Sequence, residues 1–387
     1  MHSPAALAWQ QLVREKGRFL VAVVGVAFAV LLMLMQLGFK DSLFESTVLL
    51  HRRFNADLVL VSPQSAFLAT MQAFPRRRLY QALAVPGVAE VSPIYIGVTY
   101  PIGWRNPYTG VTRNIYVVGF NVDDRPLDMA PVNAQAERLR APDAVLFDAL
   151  GRPEYGPIAA DFKSGRAIST EVGRRRISVA GLFELGTSFA VDGTLITSDV
   201  NFLRLFPSRS EGLIDVGLIR LKPGAGPQGV KEALARVLPP DVYVFTKPEY
   251  IDREIRYWAG STPIGFVFAF GSVMGFIVGS VIVYQILFAD VADHLPEYAT
   301  LKAIGFTNRY LRAVVLSESV ILAVLGYLPG LLVSAQLYRL TVRATSLPMR
   351  LDTRLGLLVL GLTVLMCGAS GLVALRKVQE ADPADIF

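Results

Sequence analysis

"FLVAVVGVAFAVLLMLMQLGF", residues 19–39, carries no charge and a single polar side chain, Gln36. A helix needs about 20 apolar residues to cross a hydrocarbon core about 30 Å thick. This stretch is long enough, and so are 264–289, 313–337, with Glu318 as its one internal charge, and 355–375. Arg14, Lys16 and Arg18 stand just before the first of them. That apolar run exceeds the about 7 to 15 residues of a signal-peptide core, and "QLGFKDSLF" offers no small-x-small cleavage site, so a retained signal-anchor is expected.

Composition agrees with four spans. Of 387 residues 52% are hydrophobic and 18% charged, and the mean hydropathy is +0.43, too apolar for an ordinary soluble enzyme. The formal charge of +6 is scattered over the loops instead of gathered on one stripe. This argues against nucleic acid as a partner and for anionic lipid headgroups. The one cysteine, Cys367, lies inside the fourth span, so no intramolecular disulfide can form and a small packing residue is expected.

The layout that follows is a membrane protein with four transmembrane α-helices and a large α+β extracytoplasmic domain inserted between the first and second. Residues 1–18 read as a cytoplasmic interfacial helix, with Trp9 at headgroup level. Span 1 (19–39) precedes an external domain with helical stalks (40–263). Span 2 (264–289), a cytoplasmic segment (290–312), span 3 (313–338), a short external loop (339–354), span 4 (355–375) and a cytoplasmic tail (376–387) complete the chain. The basic residues ahead of span 1 set the N-terminus inside, although Arg339, Arg343, Arg350 and Arg354 fall in the loop placed outside.

Within the insert, "ADLVLVSP", "RNIYVVGF", "RRRISVAGLF", "GTLITS" and "LIDVGLIRLKP" read as strands, and "QGVKEALARVLPP" as a helix stopped by proline. The stretches 41–54 and 248–262 read as helical stalks, stiffer than a Gly/Ser linker. The triplets Arg76, Arg77, Arg78 and Arg174, Arg175, Arg176 are either basic patches for an acidic partner or solvated loops.

Enzymatic signals are weak. "GAGPQG", 224–229, has the spacing of a dinucleotide-binding loop, but Pro227 removes a backbone N–H and Lys247 stands where an acid belongs. It reads as an ordinary strand-to-helix turn, and no cofactor is expected. Asp290, His294 and Glu297 share one helical face, yet Pro296 interrupts it and no second His or Cys cluster exists, so neither a metal nor a catalytic group is assigned. No G-x-x-x-x-G-K-[ST], G-x-S-x-G or H-E-x-x-H occurs. ATP hydrolysis, if used, belongs to another polypeptide. Glu318 is the one ionisable group inside the spans, two turns from the cytoplasmic edge where it is expected to reach water, which argues against a gradient-driven transporter.

Two stretches mark contacts. Gly271, Gly275 and Gly279 form a ridge in span 2 suited to close helix packing, within the chain or between two copies. Pro329 with Gly326 and Gly330 suggests a kink in span 3. "HLPEYATLKAIGFTN", 294–308, reads as a short helix starting at Pro296, with Tyr298, Leu301 and Ile304 apolar, Glu297 and Lys302 charged, and Gly305 as its stop. One face suits a groove on a partner; a solvated turn on the headgroups fits the same periodicity.

At Leu301, Lys302, Ala303, Ile304 and Gly305 the chain resembles the coupling segment of MacB/FtsX-like ABC permeases, and the order of one span, large external domain, three spans is similar to theirs. Residues 7–39, "DHLPEYATLKAIGF" and the "DPADIF" tail look closest to DevC-type permeases, the membrane subunits of cyanobacterial glycolipid exporters. The resemblance implies a bacterial inner-membrane location with a periplasmic domain. It also implies a homodimer paired with two ATPase subunits that dock on Pro296, Glu297, Tyr298, Leu301, Lys302, Ile304 and Gly305. A periplasmic adaptor (membrane-fusion) protein and an outer-membrane channel would complete the exporter. Two other readings share this layout, a lipoprotein-releasing permease and an FtsX-like subunit that activates a cell-wall hydrolase.

Overall fold

The long apolar runs become helices that overshoot a bilayer, and the β-branched runs between them become one sheet. The structure, a computed structural model, describes residues 4–14, 16–97, 103–188, 190–294, 296–297, 300, 304–345, 347 and 349–380. In chain order the helices begin with α1 (Pro4–Arg14), α2 (Lys16–Thr47), α3 (Leu49–Arg53), α4 (Arg77–Leu83), α5 (Ala130–Gln135) and α6 (Ile158–Lys163). They continue with α7 (Asp199–Leu205), α8 (Pro227–Val237), α9 (Lys247–Gly260), α10 (Pro263–Asp293), α11 (Asn308–Thr345) and α12 (Thr353–Glu380). By contact the chain divides into a helical unit (1–42, 263–345, 349–387) and a domain built from 43–262.

In the helical unit α2, α10, α11 and α12 are each long and apolar enough to cross a membrane. The 32 residues of α2 give a rod of about 48 Å at 1.5 Å per residue, well beyond a hydrocarbon core. The four helices meet through Val26, Val30 and Leu34 of α2, Leu287 of α10, Leu322 of α11, and Val359 and Cys367 of α12, all buried. Lipid tails are as apolar as leucine, so close backbone approach replaces the hydrophobic drive here. Gly326 and Gly330 of α11 supply it: a Cβ on Gly326 would lie 2.5 Å from Val26, and one on Gly330 2.7 Å from the Ala27 carbonyl. Below this contact the Tyr338 hydroxyl donates to the Leu34 carbonyl at 2.5 Å.

Several expectations are corrected. In the glycine ridge of α10, a Cβ on Gly271 would meet Gln36 and one on Gly279 would meet Ala29, but Gly275 faces open space. The ridge therefore packs at its two ends against α2. Glu318 does not reach water: it is 0% exposed, because it lies on the side of α11 that packs inward beside Ser319 and Leu322. Helix α11 runs unbroken through Pro329 and on to Thr345, so 339–345 is helix and not loop. Among 41–54 the helix is interrupted at Val48, whose φ of −106° and ψ of 11° leave the helical region.

The domain is built on strands β1 (Leu58–Val61), β2 (Phe74–Pro75), β3 (Val88–Gly97), β4 (Gly103–Arg105), β5 (Thr112–Asn114), β6 (Tyr116–Phe120) and β7 (Ala144–Asp148). Then follow β8 (Ser169–Val172), β9 (Arg175–Phe183), β10 (Thr194–Ser198), β11 (Leu213–Ile214), β12 (Val216–Leu221) and β13 (Tyr243–Thr246). Eleven of them form one mixed sheet in the order β13-β1-β12-β3-β6-β10-β7-β9-β8-β4-β5. Its first four strands are two split β-α-β units. β1 and β3 run parallel with β12 between them and α4 as crossover; β12 and β13 run parallel with β1 between them and α8 as crossover. Residues 103–198, inserted between β3 and β12, extend the same sheet. The "GAGPQG" stretch is the turn from β12 into α8, with Pro227 at the first helical turn.

Every residue of β1 is buried, so the sheet is covered on both faces. Leu58 and Leu60 point to the layer that holds Leu79 of α4, Phe202 of α7 and Leu234 of α8. Val59 and Val61 point to the opposite layer, with Leu50 of α3, Tyr250 of α9 and Leu127. The arginine triplets are spent largely inside the domain. Arg78 is 8% exposed and forks onto Asp241 at 2.6 to 3.0 Å. Arg76 pairs with Glu211 at 3.3 Å and Arg175 with Asp143 at 2.6 Å.

Candidate functional site

The segment after α10 brings together more of the chain than its own residues. Helix α1 is amphipathic, and its Ala8 and Leu12 are buried while Trp9 is half exposed. Ala8 joins Val291 at the end of α10, Leu311, Val314 and Val315 at the start of α11, and Leu375 in α12 in one small core. The N-terminal helix therefore packs on the helix ends that bracket 294–308 instead of resting on headgroups alone. Trp9 meets Phe19 edge to face, with centroids 6.4 Å apart.

Two ion pairs fasten this arrangement. Arg14 lies 3.4 Å from Glu297, and Arg18 contacts Asp293. The bases are four residues apart and so are the acids, and the pairs cross in opposite order, as for two helical stretches laid side by side. The side chains are 45 to 78% exposed, so each pair is worth about 0.2 to 1 kcal/mol and serves orientation more than stability. The sequence reading missed these partners. The matching four-residue spacing of Arg14 and Arg18 with Asp293 and Glu297 was the signal that could have found them.

Pro296 and Glu297 are helical and exposed. The Thr300 hydroxyl donates to the Pro296 carbonyl at 2.8 Å, and Ile304 N–H donates to the Thr300 carbonyl at 3.0 Å. Gly305 has φ +104°, a left-handed turn that stops a helix and suits only glycine well. Tyr298, Leu301 and Lys302 lie outside the described residues. Ile304 is 71% exposed, an apolar side chain presented to the surroundings immediately before the stop. After it, Phe306 packs on Tyr310 at 4.6 Å, and the Thr307 carbonyl accepts from Tyr310 and Leu311 to start α11. Of the three possible ligands on one face, His294 is 6% exposed, Glu297 holds Arg14, and the side chain of Asp290 lies outside the described residues. Among the described residues no metal-holding group of three is present.

The described part of 296–305 is exposed throughout. It offers an exposed acid, an exposed isoleucine and a glycine stop on a platform fixed by two ion pairs and a small core. Residues 269–383 match the FtsX-like permease C-terminal family. The FtsX-like segment thus takes in most of α10, the whole of 294–308, α11 and α12. Over a longer span the chain is similar to two uncharacterized ABC transporter permeases of Mycobacterium tuberculosis, from strains CDC 1551 and H37Rv, each 22% identical over 320 residues, covering 81% of this chain and 79% of the relative. The periplasmic region of MacB from Actinobacillus actinomycetemcomitans aligns with 51% of this chain and 92% of its own, at 9% identity and a TM-score of 0.35. The extracellular domain of the ABC-type transporter YknZ from Gram-positive bacteria aligns with 49% and 99%, at 15% identity and a TM-score of 0.34.

Proposed function

We propose that this chain is the permease subunit of an ABC exporter of FtsX type, working as a homodimer in a bacterial inner membrane. A separate ATPase docks on 296–305 and its closure displaces that segment. The helical stretches 41–54 and 248–262 carry the displacement to the domain 43–262 on the far side of the membrane. There the domain acts with a periplasmic adaptor and an outer-membrane channel on a lipid-like or otherwise hydrophobic cargo, of which a glycolipid is the DevC-type case. The cargo need not pass between the four spans.

One observation supports this reading: the family match at 269–383 encloses a stretch in which Glu297 and Ile304 are exposed and Gly305 makes a left-handed turn. The chain has no P-loop of its own, which accords with an ATPase on another polypeptide. The test is purification of the tagged full chain from its native membrane, followed by assay of ATP hydrolysis in the complex. An ATPase whose rate changes on removal of the permease is the expected result. A chain that purifies without ATPase activity contradicts the reading. Loss of the outer-membrane channel separates the exporter from a lipoprotein-releasing permease, since only the exporter stops.

A further inference from the structure

In the domain, the chain's incoming helix α3 and its outgoing helix α9 meet at a buried polar centre. His51 of α3 is 0% exposed and Glu254 of α9 is 3% exposed, with Nε2 3.4 Å from Oε2. On α9 the buried residues Tyr250, Glu254 and Trp258 recur every four positions and so share one face. The Tyr250 ring lies 4.8 Å from the imidazole. The Glu254 carboxylate also accepts Trp258 Nε1–H at 3.1 Å and the Leu68 N–H at 3.1 Å. One turn earlier, Lys247 Nζ donates to the Phe54 carbonyl at 2.7 Å.

We infer that His51 and Glu254 are positioning residues, a clasp that makes α3 and α9 one lever at the point where the chain enters and leaves the domain. Of the other groups around the pair, Tyr250 keeps a buried hydroxyl with no hydrogen-bond partner among the described residues, and the rest are held elsewhere. The Tyr116 hydroxyl donates to the Leu68 carbonyl at 2.5 Å, Arg253 donates to the Ser65 carbonyl, and Asp215 is held by Arg209 at 2.7 Å. Burial pushes the Tyr250 phenol up, so it stays neutral. The carboxylate is thus the hub that joins α3, α9 and the 65–68 turn. An apolar pair of similar volume would fill the space but leave the buried Leu68 and Trp258 N–H groups without an acceptor. What the polar pair adds is one preferred setting of one helix against the other.

This inference rests on the exporter reading for the source of the displacement, but the clasp is measurable without the ATPase. Spin labels go at Arg53→Cys and Asp252→Cys, both exposed positions, in full-length chain carrying Cys367→Ala and held in lipid nanodiscs. The wild-type pair gives one narrow distance distribution, unchanged when ATPase and ATP are added. Glu254→Ala roughly doubles its width and lowers the unfolding midpoint. The double variant His51→Leu, Glu254→Leu keeps the broad distribution, and its midpoint stays low because the buried Leu68 and Trp258 N–H groups have lost their acceptor. Should Glu254→Ala not fold, Glu254→Gln retains acceptors for Leu68 and Trp258 and still broadens the distribution. A broad wild-type distribution, or a double variant that recovers the narrow one, overturns the clasp. An ATPase that neither binds nor responds to the wild-type chain contradicts the exporter reading and leaves the distance result standing.

Discussion

The chain holds two polar fastenings of opposite character. Arg14 with Glu297 and Arg18 with Asp293 are open to water, whereas His51 with Glu254 is sealed inside the domain. Exposed pairs are screened and can break and remake at small cost, while a buried pair cannot lose one member without stranding the other. A docking platform that must respond to a partner suits the first kind. A lever that must not flex suits the second.

The largest expected effect breaks the buried side of this comparison. Glu254→Ala should cost about 2 to 6 kcal/mol of domain stability, because the two buried N–H donors of Leu68 and Trp258 lose their acceptor; chemical denaturation followed by the domain's tryptophan emission reads it. Next comes Gly330→Leu, which drives a side chain into Ala27 and Val30 and should cost about 1 to 3 kcal/mol by overpacking, measured as a lowered midpoint of the full chain in detergent. Arg14→Ala and Arg18→Ala should each change stability by less than about 1 kcal/mol, and by less still in high salt. Equal losses from the exposed and buried pairs would erase the distinction.

A further effect sharpens the comparison through pH. Asp124 is half-buried, and desolvation raises its carboxyl to about 6. Its ionised form therefore opposes folding, and the penalty is fully present above that pH. Asp124→Asn should stabilise the domain at pH 7 to 8. The gain should shrink as pH falls through about 6 and vanish below the ordinary carboxylate range. Midpoints of both proteins across that range check the sign.

Much of the architecture was written in local pattern. The four spans follow from apolar length alone, and β1, β6, β9, β10 and β12 form where β-branched runs stand. Sheet order was not legible, because β1 pairs with β12 and β13, strands far away in sequence whose pairing depends on where α4 and α8 cross. Nor was the fate of the arginine triplets: Arg78 meets Asp241 only once α4 is laid on the sheet. Within 296–305, Gly305 as a helix stop was readable from its residue type, but the contacts that hold the stretch were not. Arg14 and Glu297 lie 283 residues apart, and only the matching four-residue spacing of Arg14 and Arg18 with Asp293 and Glu297 hinted at a meeting. His51 stands alone in "LLHRRF" with no pattern around it to mark a polar contact, although Tyr250, Glu254 and Trp258 share one face of α9 by their spacing.

The most direct test of the account is the ATP hydrolysis rate of the copurified ATPase with wild-type chain and with Ile304→Asp, both in nanodiscs. Ile304 is 71% exposed, so the variant should fold as the wild type does. A charge placed in an apolar docking contact should weaken association by about tenfold or more and abolish the permease-dependent change in rate. A variant that binds and modulates the ATPase as the wild type does would show that the stretch ending at Gly305 is a surface turn and not the joint.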